Sequence, residues 1–246
     1  MTEPKFKKST AREYFESLTI TVILALFGTT FIVQAFKIPT PSMADNLLVG
    51  DHLLVNKFAF GAPGSLADSV LPLEQIHRGD IIVFKFPRNL SQHFVKRVIG
   101  LPGDHIRVHD DTVYVNGNAL MEPYKNMTPN FQREDFPPLA GAVSRYQYEG
   151  VDNWYEPFRE RNEVVVPADH FFAMGDNRDN SLDSRYWGFV SKGLIVGKPV
   201  VIYWSYDTDS DAYRQTEVRD RIQQAGDLLK NFFSKTRWSR TFRIIK

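Results

Sequence analysis

From Ser17 to Phe36 the chain runs for twenty residues without a charge, SLTITVILALFGTTFIVQAF. A helix rises about 1.5 Å per residue, so this run predicts a single membrane-spanning helix over 17–36 about 30 Å long, the depth of a bilayer's hydrocarbon core. Lys5, Lys7, Lys8 and Arg12 precede it, and Lys37 alone stands close behind. That excess of basic side chains predicts a cytoplasmic N-terminal segment over 1–16, with everything from residue 37 onward on the exoplasmic side. A cleaved signal peptide would have a shorter apolar stretch, about 7–15 residues, ending in a small-x-small site. Gln34-Ala35-Phe36 is a poor site of that kind. For a buried core helix the run is long and too apolar all round.

The remainder reads as β structure. GDIIVFKF (79–86) and HFVKRVIG (93–100) are rich in β-branched and aromatic residues and are bounded by Gly or Pro. IRVHDDTVYVNGNAL holds an Asp-Asp turn and then Asn116-Gly117, a strong signal for a type I′ hairpin. EVVVP, HFFAM and GLIVGKPVVIYWS add further short strands. Short strands joined by turn chemistry predict a mainly β, antiparallel domain over 37–212. Within it, 125–162 is a polar and aromatic excursion broken by Pro137-Pro138. The last segment, 213–246, is basic and amphipathic. From Lys230 onward it has six Lys or Arg and no acid, interleaved with Phe232, Phe233, Trp238, Phe242, Ile244 and Ile245. Such a stretch suits a membrane surface, or equally an edge element packed on the domain with its charges solvated.

Composition excludes some chemistry. The 246 residues include no cysteine, which removes disulfides, thiolate metal sites and cysteine nucleophiles together. A formal net charge of +1 offers no general attraction to nucleic acid. Histidines 52, 77, 93, 105, 109 and 170 are scattered, with no G-x-S-x-G elbow and no HExxH metal motif.

Three stretches are candidates for a site. IPTPSMADNLLVGD (38–51) sets Ser42 directly outside the apolar run. A serine hydroxyl is barely ionised on its own and needs a neighbouring base. Lys96 lies within the predicted strand HFVKRVIG, on the same face as Phe94 and Val98 by strand alternation. An apolar setting lowers a lysine pKa and makes the neutral amine available as a general base, as in Ser-Lys variants of the serine-protease arrangement. On strand chemistry alone the commoner outcome is a lysine that snorkels from a strand edge with its ammonium in water. GDNRDNSLDSRYWG (175–188) suits a turn-rich loop held by Asp–Arg pairs, or a plain solvated loop; its arginines argue against a calcium site.

Taken together, IPTPSMADNLLVGDHLLVNKFAFG, RGDIIVF, FVKRVIGLPGD and GDNRDNSLDSRYWG resemble, in order and placement, the bacterial type I signal peptidases. The similarity extends from the apolar run to about residue 205. By position, the resemblance implies Ser42 as nucleophile and Lys96 as general base. It implies Thr40 as a hydroxyl joining the Ser42 amide in an oxyanion hole, and Ser181 as the hydroxyl orienting the lysine amine. Asp176, Arg97, Asp183 and Arg185 match residues that brace the site, and Ile38 and Met43 match the substrate groove. The implied reaction is cleavage of secretory preproteins after a small-x-small sequence, commonly Ala-x-Ala, by a single-pass protein of the bacterial inner membrane. The precursor would add as a strand beside the sheet. No metal, organic cofactor or nucleic-acid partner is implied. Asn46 stands where the family usually has threonine, and there is one span where some members have two.

Two other readings fit parts of the chain. The self-cleaving repressors of the DNA-damage response share a related Ser-Lys core, but they are cytosolic and carry a DNA-binding segment that is not evident here. A catalytically inactive, membrane-tethered module that binds extended peptides would keep the groove, and a cleavage assay separates it.

Overall fold

Each stretch read as a strand forms one, and all pair antiparallel. The computed structural model describes residues 9–60, 74–129, 133–139, 153–208 and 218–245. In chain order the strands are β1 (Val33–Lys37), β2 (Asp51–Asn56), β3 (Ile81–Phe86), β4 (Asn89–Gly100), β5 (His105–His109), β6 (Thr112–Val115), β7 (Asn118–Ala119), β8 (Arg159–Glu160), β9 (Glu163–Val165), β10 (His170–Met174), β11 (Val190–Ser191), β12 (Ile195–Ser205) and β13 (Arg243–Ile244). One eight-stranded sheet has the order β1-β2-β12-β3-β4-β10-β11, with β13 added on β12. A five-stranded sheet has the order β7-β6-β5-β9-β8. Asn116 and Gly117 both take positive φ, 52° and 77°, as a type I′ turn between β6 and β7 requires.

The apolar run does not form the single helix expected over 17–36. Helix α1 spans Thr10–Phe27, a π turn follows over Gly28–Ile32, and Val33–Lys37 is strand β1. Gly28 and the β-branched Thr29, Thr30, Ile32 and Val33 are weak helix formers, and an antiparallel partner is at hand in β2, where Val33 faces Asn56 and Lys37 faces His52. The first turns of α1 hold Arg12, Glu13 and Glu16, and among the described residues no helix is long and apolar enough to cross a membrane. No residue of α1 is buried: Leu18, Ile20, Ile23, Leu24, Leu26 and Phe27 all face outward.

Part of the 125–162 excursion belongs to the core. Phe136 is fully buried, its backbone bridges Val108, and its ring packs on Trp154, Tyr155 and Phe172. Residues 130–132 and 140–152 lie outside the described residues. Helix α2 is the short Ser184–Trp187, capped by the Asp183 carboxylate. The C-terminal segment forms helix α3 (Val218–Lys235) and then strand β13, so it packs as an edge element of the sheet. Its charges are not all solvated, since Arg240 is buried, while Phe233, Trp238, Phe242 and Ile244 stay exposed.

Candidate active site

Three elements converge on Ser42. Pro41–Met43 is a single 3₁₀ turn, with proline at the start, where its missing amide costs nothing. The leading amides of such a turn, that of Ser42 included, have no acceptor within it. The turn is held from outside by the 175–188 loop: the Asn177 amide donates to Ser42 O (3.1 Å), and Asn177 Nδ2 donates to Pro41 O (3.2 Å). Gly175 allows this approach, because a Cβ there would lie 2.5 Å from Ser42 O and 2.2 Å from Ser181 Oγ.

Strand β4 supplies Lys96. Its Nζ lies 2.6 Å from Ser42 Oγ, donating when charged and able to accept the hydroxyl proton when neutral. The lysine is 3% exposed and its amine sits over the Phe94 ring, as the strand alternation predicts. It does not snorkel. Burial pushes its pKa down to about 8; Asp183 and Asp176 oppose that shift and Arg185 adds to it.

The two carboxylates that flank the amine are each tied to an arginine. Arg97 Nε and Nη2 donate to Asp176 Oδ1 and Oδ2, both at 2.8 Å, and the guanidinium lies 4.0 Å from the Tyr124 ring centroid. Arg185 Nε and Nη2 donate to Asp183 Oδ1 and Oδ2 at 2.8 and 2.9 Å, and the Gly175 amide donates to Asp183 Oδ2 at 3.1 Å. Burial raises the Asp183 carboxyl, but Arg185, the Gly175 amide and Lys96 together hold it below its ordinary value. Asn46 has a partner of its own here: its Nδ2 donates to Asp176 Oδ2 (2.8 Å) and to Tyr124 O (3.0 Å).

Thr40 and Ser181 are placed differently from each other. Thr40 Oγ1 reaches Ser42 Oγ at 3.5 Å. The hydrogen bond expected from Ser181 to the lysine amine is not made. Among the described residues the buried Ser181 hydroxyl has no partner; it is pressed against Gly175, while the amine is turned to Ser42. A cleft of about 730 Å³ opens over the pair. Ile38 and Met43, the expected groove residues, line it beside Phe36, Phe94 and Leu182.

Several residues at the site escaped the sequence reading. Asn177 lay within a quoted motif, but nothing local marks which loop amide will bond the serine carbonyl. Arg178 forms a buried ion pair with Glu122, from a stretch with no motif at all. As for metal ligation, His109, Asp110 and Asp135 bring possible ligand atoms within 4.8 Å of one another, all exposed at the turn between β5 and β6.

A family model described as signal peptidase, peptidase S26, matches residues 11–204. The signal peptidase I of Pseudomonas aeruginosa is 35% identical over 218 residues, covering 79% of this chain and 72% of its own. That of Buchnera aphidicola subsp. Acyrthosiphon pisum is 31% identical over 257 residues, covering 86% and 82%. A crystal structure of a signal peptidase I from Enterococcus faecalis V583 is 35% identical and covers 51% of this chain and 97% of its own, at a TM-score of 0.36.

Proposed function

The chain belongs to the signal peptidase family, peptidase S26, and from that premise we propose that it cleaves the signal peptides of secretory preproteins after a small-x-small sequence, with Ser42 as nucleophile and Lys96 as general base. The observation that carries this reading is the 2.6 Å contact between Lys96 Nζ and Ser42 Oγ, made by an amine that burial has brought down to about 8. A serine paired with an amine of that pKa has its proton acceptor in place near neutral pH.

The precursor lies extended in the cleft, its small side chain against Ile38 and Met43. Ser42 Oγ attacks the scissile carbonyl as Lys96 takes the hydroxyl proton. The developing oxyanion is met by the Ser42 amide and the Thr40 hydroxyl, and one such donor is typically worth about 10²–10³ in rate. Lys96 then passes the proton to the departing amine and the peptide bond breaks, leaving the signal peptide esterified to Ser42. Water attacks the ester with Lys96 again as base, and the serine is regenerated. Ser181, with its buried hydroxyl unpaired, is free to hold the amine once Ser42 is acylated. Asp176–Arg97 and Asp183–Arg185 brace the floor.

Helix α1 is the lipid contact in this reading. Its apolar side chains are uncovered among the described residues. Together with the π turn after it, α1 carries the apolar run through the bilayer, with the basic residues before it on the cytoplasmic side and the catalytic domain exoplasmic. The test is incubation of a purified secretory precursor with detergent-solubilised protein. Product beginning after an Ala-x-Ala site, formed by wild type and by neither Ser42→Ala nor Lys96→Ala, is the expected result. Intact precursor bound without shortening by the folded wild type would point instead to a peptide-binding module.

A further inference from the structure

Ser42 rides on a loop closed at its neck by two backbone bonds, Ile38 amide to Asp51 O (2.8 Å) and Gly50 amide to Ile38 O (2.9 Å). The Asp51 carboxylate, wholly buried at that neck, accepts from the Leu48 amide (2.8 Å) and the Ser205 hydroxyl (2.6 Å). Its counter-charge comes from the far end of the chain. Arg240 Nη2 and Nε donate to Asp51 Oδ2 and Oδ1 at 2.6 and 3.2 Å. The same Nη2 donates to Asn46 O (2.8 Å), and Arg237 Nη1 donates to Val49 O (2.9 Å).

The C-terminal segment therefore grips the loop at Asn46, Val49 and Asp51, all between the nucleophile and the start of β2. Asn46 is also the residue whose side chain reaches Asp176, so the grip is continuous with the floor beneath Lys96. Strand β13, paired on β12 at Ile202 and Val201, fixes where Arg240 stands. A buried carboxylate stripped of its guanidinium is strongly unfavourable, so without Arg240 the neck has reason to open.

We propose that Arg240 is a positioning residue for the peptidase reaction, and that residues 237–244 form a clasp holding the nucleophile loop in register with Lys96. The proposal rests on the reading of Ser42 as nucleophile, but the grip itself can be measured without it.

The experiment compares full-length wild type, Arg240→Ala, Arg240→Lys and, as a control on the same segment, Lys235→Ala. It measures kcat and KM on a peptide spanning an Ala-x-Ala site, together with hydrogen exchange at individual amides. For Arg240→Ala we expect kcat to fall about tenfold or more with KM within about twofold, the pattern of a group misplaced in the transition state. The Leu48, Gly50 and Asp51 amides should exchange at least about tenfold faster while those of β5 and β6 keep their rates, marking a local opening. Arg240→Lys should recover part of kcat, and Lys235→Ala should match wild type. Wild-type kcat in folded Arg240→Ala overturns the proposal. So does exchange quickened equally across both sheets with activity falling only as the folded fraction falls. If Arg240→Ala does not fold, Arg240→Lys decides. Lysine lacks the fork by which Nη2 and Nε meet both Asp51 oxygens, so reduced kcat with faster exchange at 48–51 supports the clasp and wild-type behaviour overturns it. If wild type cleaves nothing, the peptidase reading fails, and the exchange rates alone still show whether Arg240 holds the loop.

Discussion

In the eight-stranded sheet and its loops, Asp51, Lys96, Arg97, Asp176, Asp183 and Arg240 are all nearly removed from solvent, whereas the buried positions around the five-stranded sheet are mostly apolar, Ile106, Val113, Phe136, Tyr155 and Val164 among them, with Asp104 the buried charge at its rim. Both regions are packed, but they are held differently. The apolar one gains directly from area removed from water. The charged one must find a partner for every group it buries, and each arginine there has a carboxylate. Lys96 is the exception. Among the described residues no carboxylate is in ion-pair contact with its amine, and the amine's one hydrogen bond is to Ser42. A charge left unpaired inside a region that pairs all its others is where the proposed chemistry is placed.

The contrast is broken most directly at that exception. Lys96→Ala and Ser42→Ala should each lower cleavage by about 10⁴-fold or more, with circular dichroism unchanged. Appreciable turnover by folded Lys96→Ala would show that the unpaired amine is not the base.

Next come the two kinds of burial compared as stabilities. Asp176→Ala leaves Arg97 buried without its carboxylate and should cost about 3–5 kcal/mol in denaturant unfolding. Phe136→Ala should cost a similar amount, about 3–5 kcal/mol, through its cavity. The difference should appear in activity. At temperatures where each variant is folded, Asp176→Ala should lose kcat while Phe136→Ala should retain it. Equal loss in both would mean the two sheets are not separable in function.

The pH dependence sharpens the same point. With the amine near 8, kcat should climb as pH rises through about 8 and the neutral form fills. For stability, the folded pKa lies below the unfolded value, 10.5 falling to about 8. Between those values the unfolded chain holds the proton and the folded one does not, so this group's contribution to stability improves as pH rises across the window. Below about pH 8 the burial penalty stands in full. Lys96→Met should therefore be more stable than wild type at pH 7 by about 3 kcal/mol, and should lose that advantage above pH 10 or so. No gain at pH 7, measured by urea titration, would mean the amine is not penalised by its burial.

The smallest effect belongs to the exposed turn between β5 and β6. His109 is held above its ordinary pKa by Asp135, first through their hydrogen bond and then through charge. With both side chains in solvent, His109→Ala should leave kcat/KM within about twofold of wild type and change stability little. A larger loss would extend the site into the second sheet.

Much of this molecule follows from local sequence. Strand alternation placed Lys96 on the Phe94 face, Asn116-Gly117 set its hairpin, and GDIIVFKF and GLIVGKPVVIYWS became β3 and β12, because pleat period and turn chemistry are decided within a few residues. What lay beyond it depended on distant partners. Val33–Lys37 left the apolar run for β2, Phe136 came in from a polar excursion, and Arg240 closed on Asp51 across nearly the whole chain. A hydrophobic count cannot foresee a pairing edge, and a basic tail does not show which of its arginines will be buried. The amine's pKa and its 2.6 Å approach to Ser42 belong to the same class. Sequence supplied a serine and a lysine of the right type; only the packed interior determines how much water surrounds an amine and which oxygen it meets.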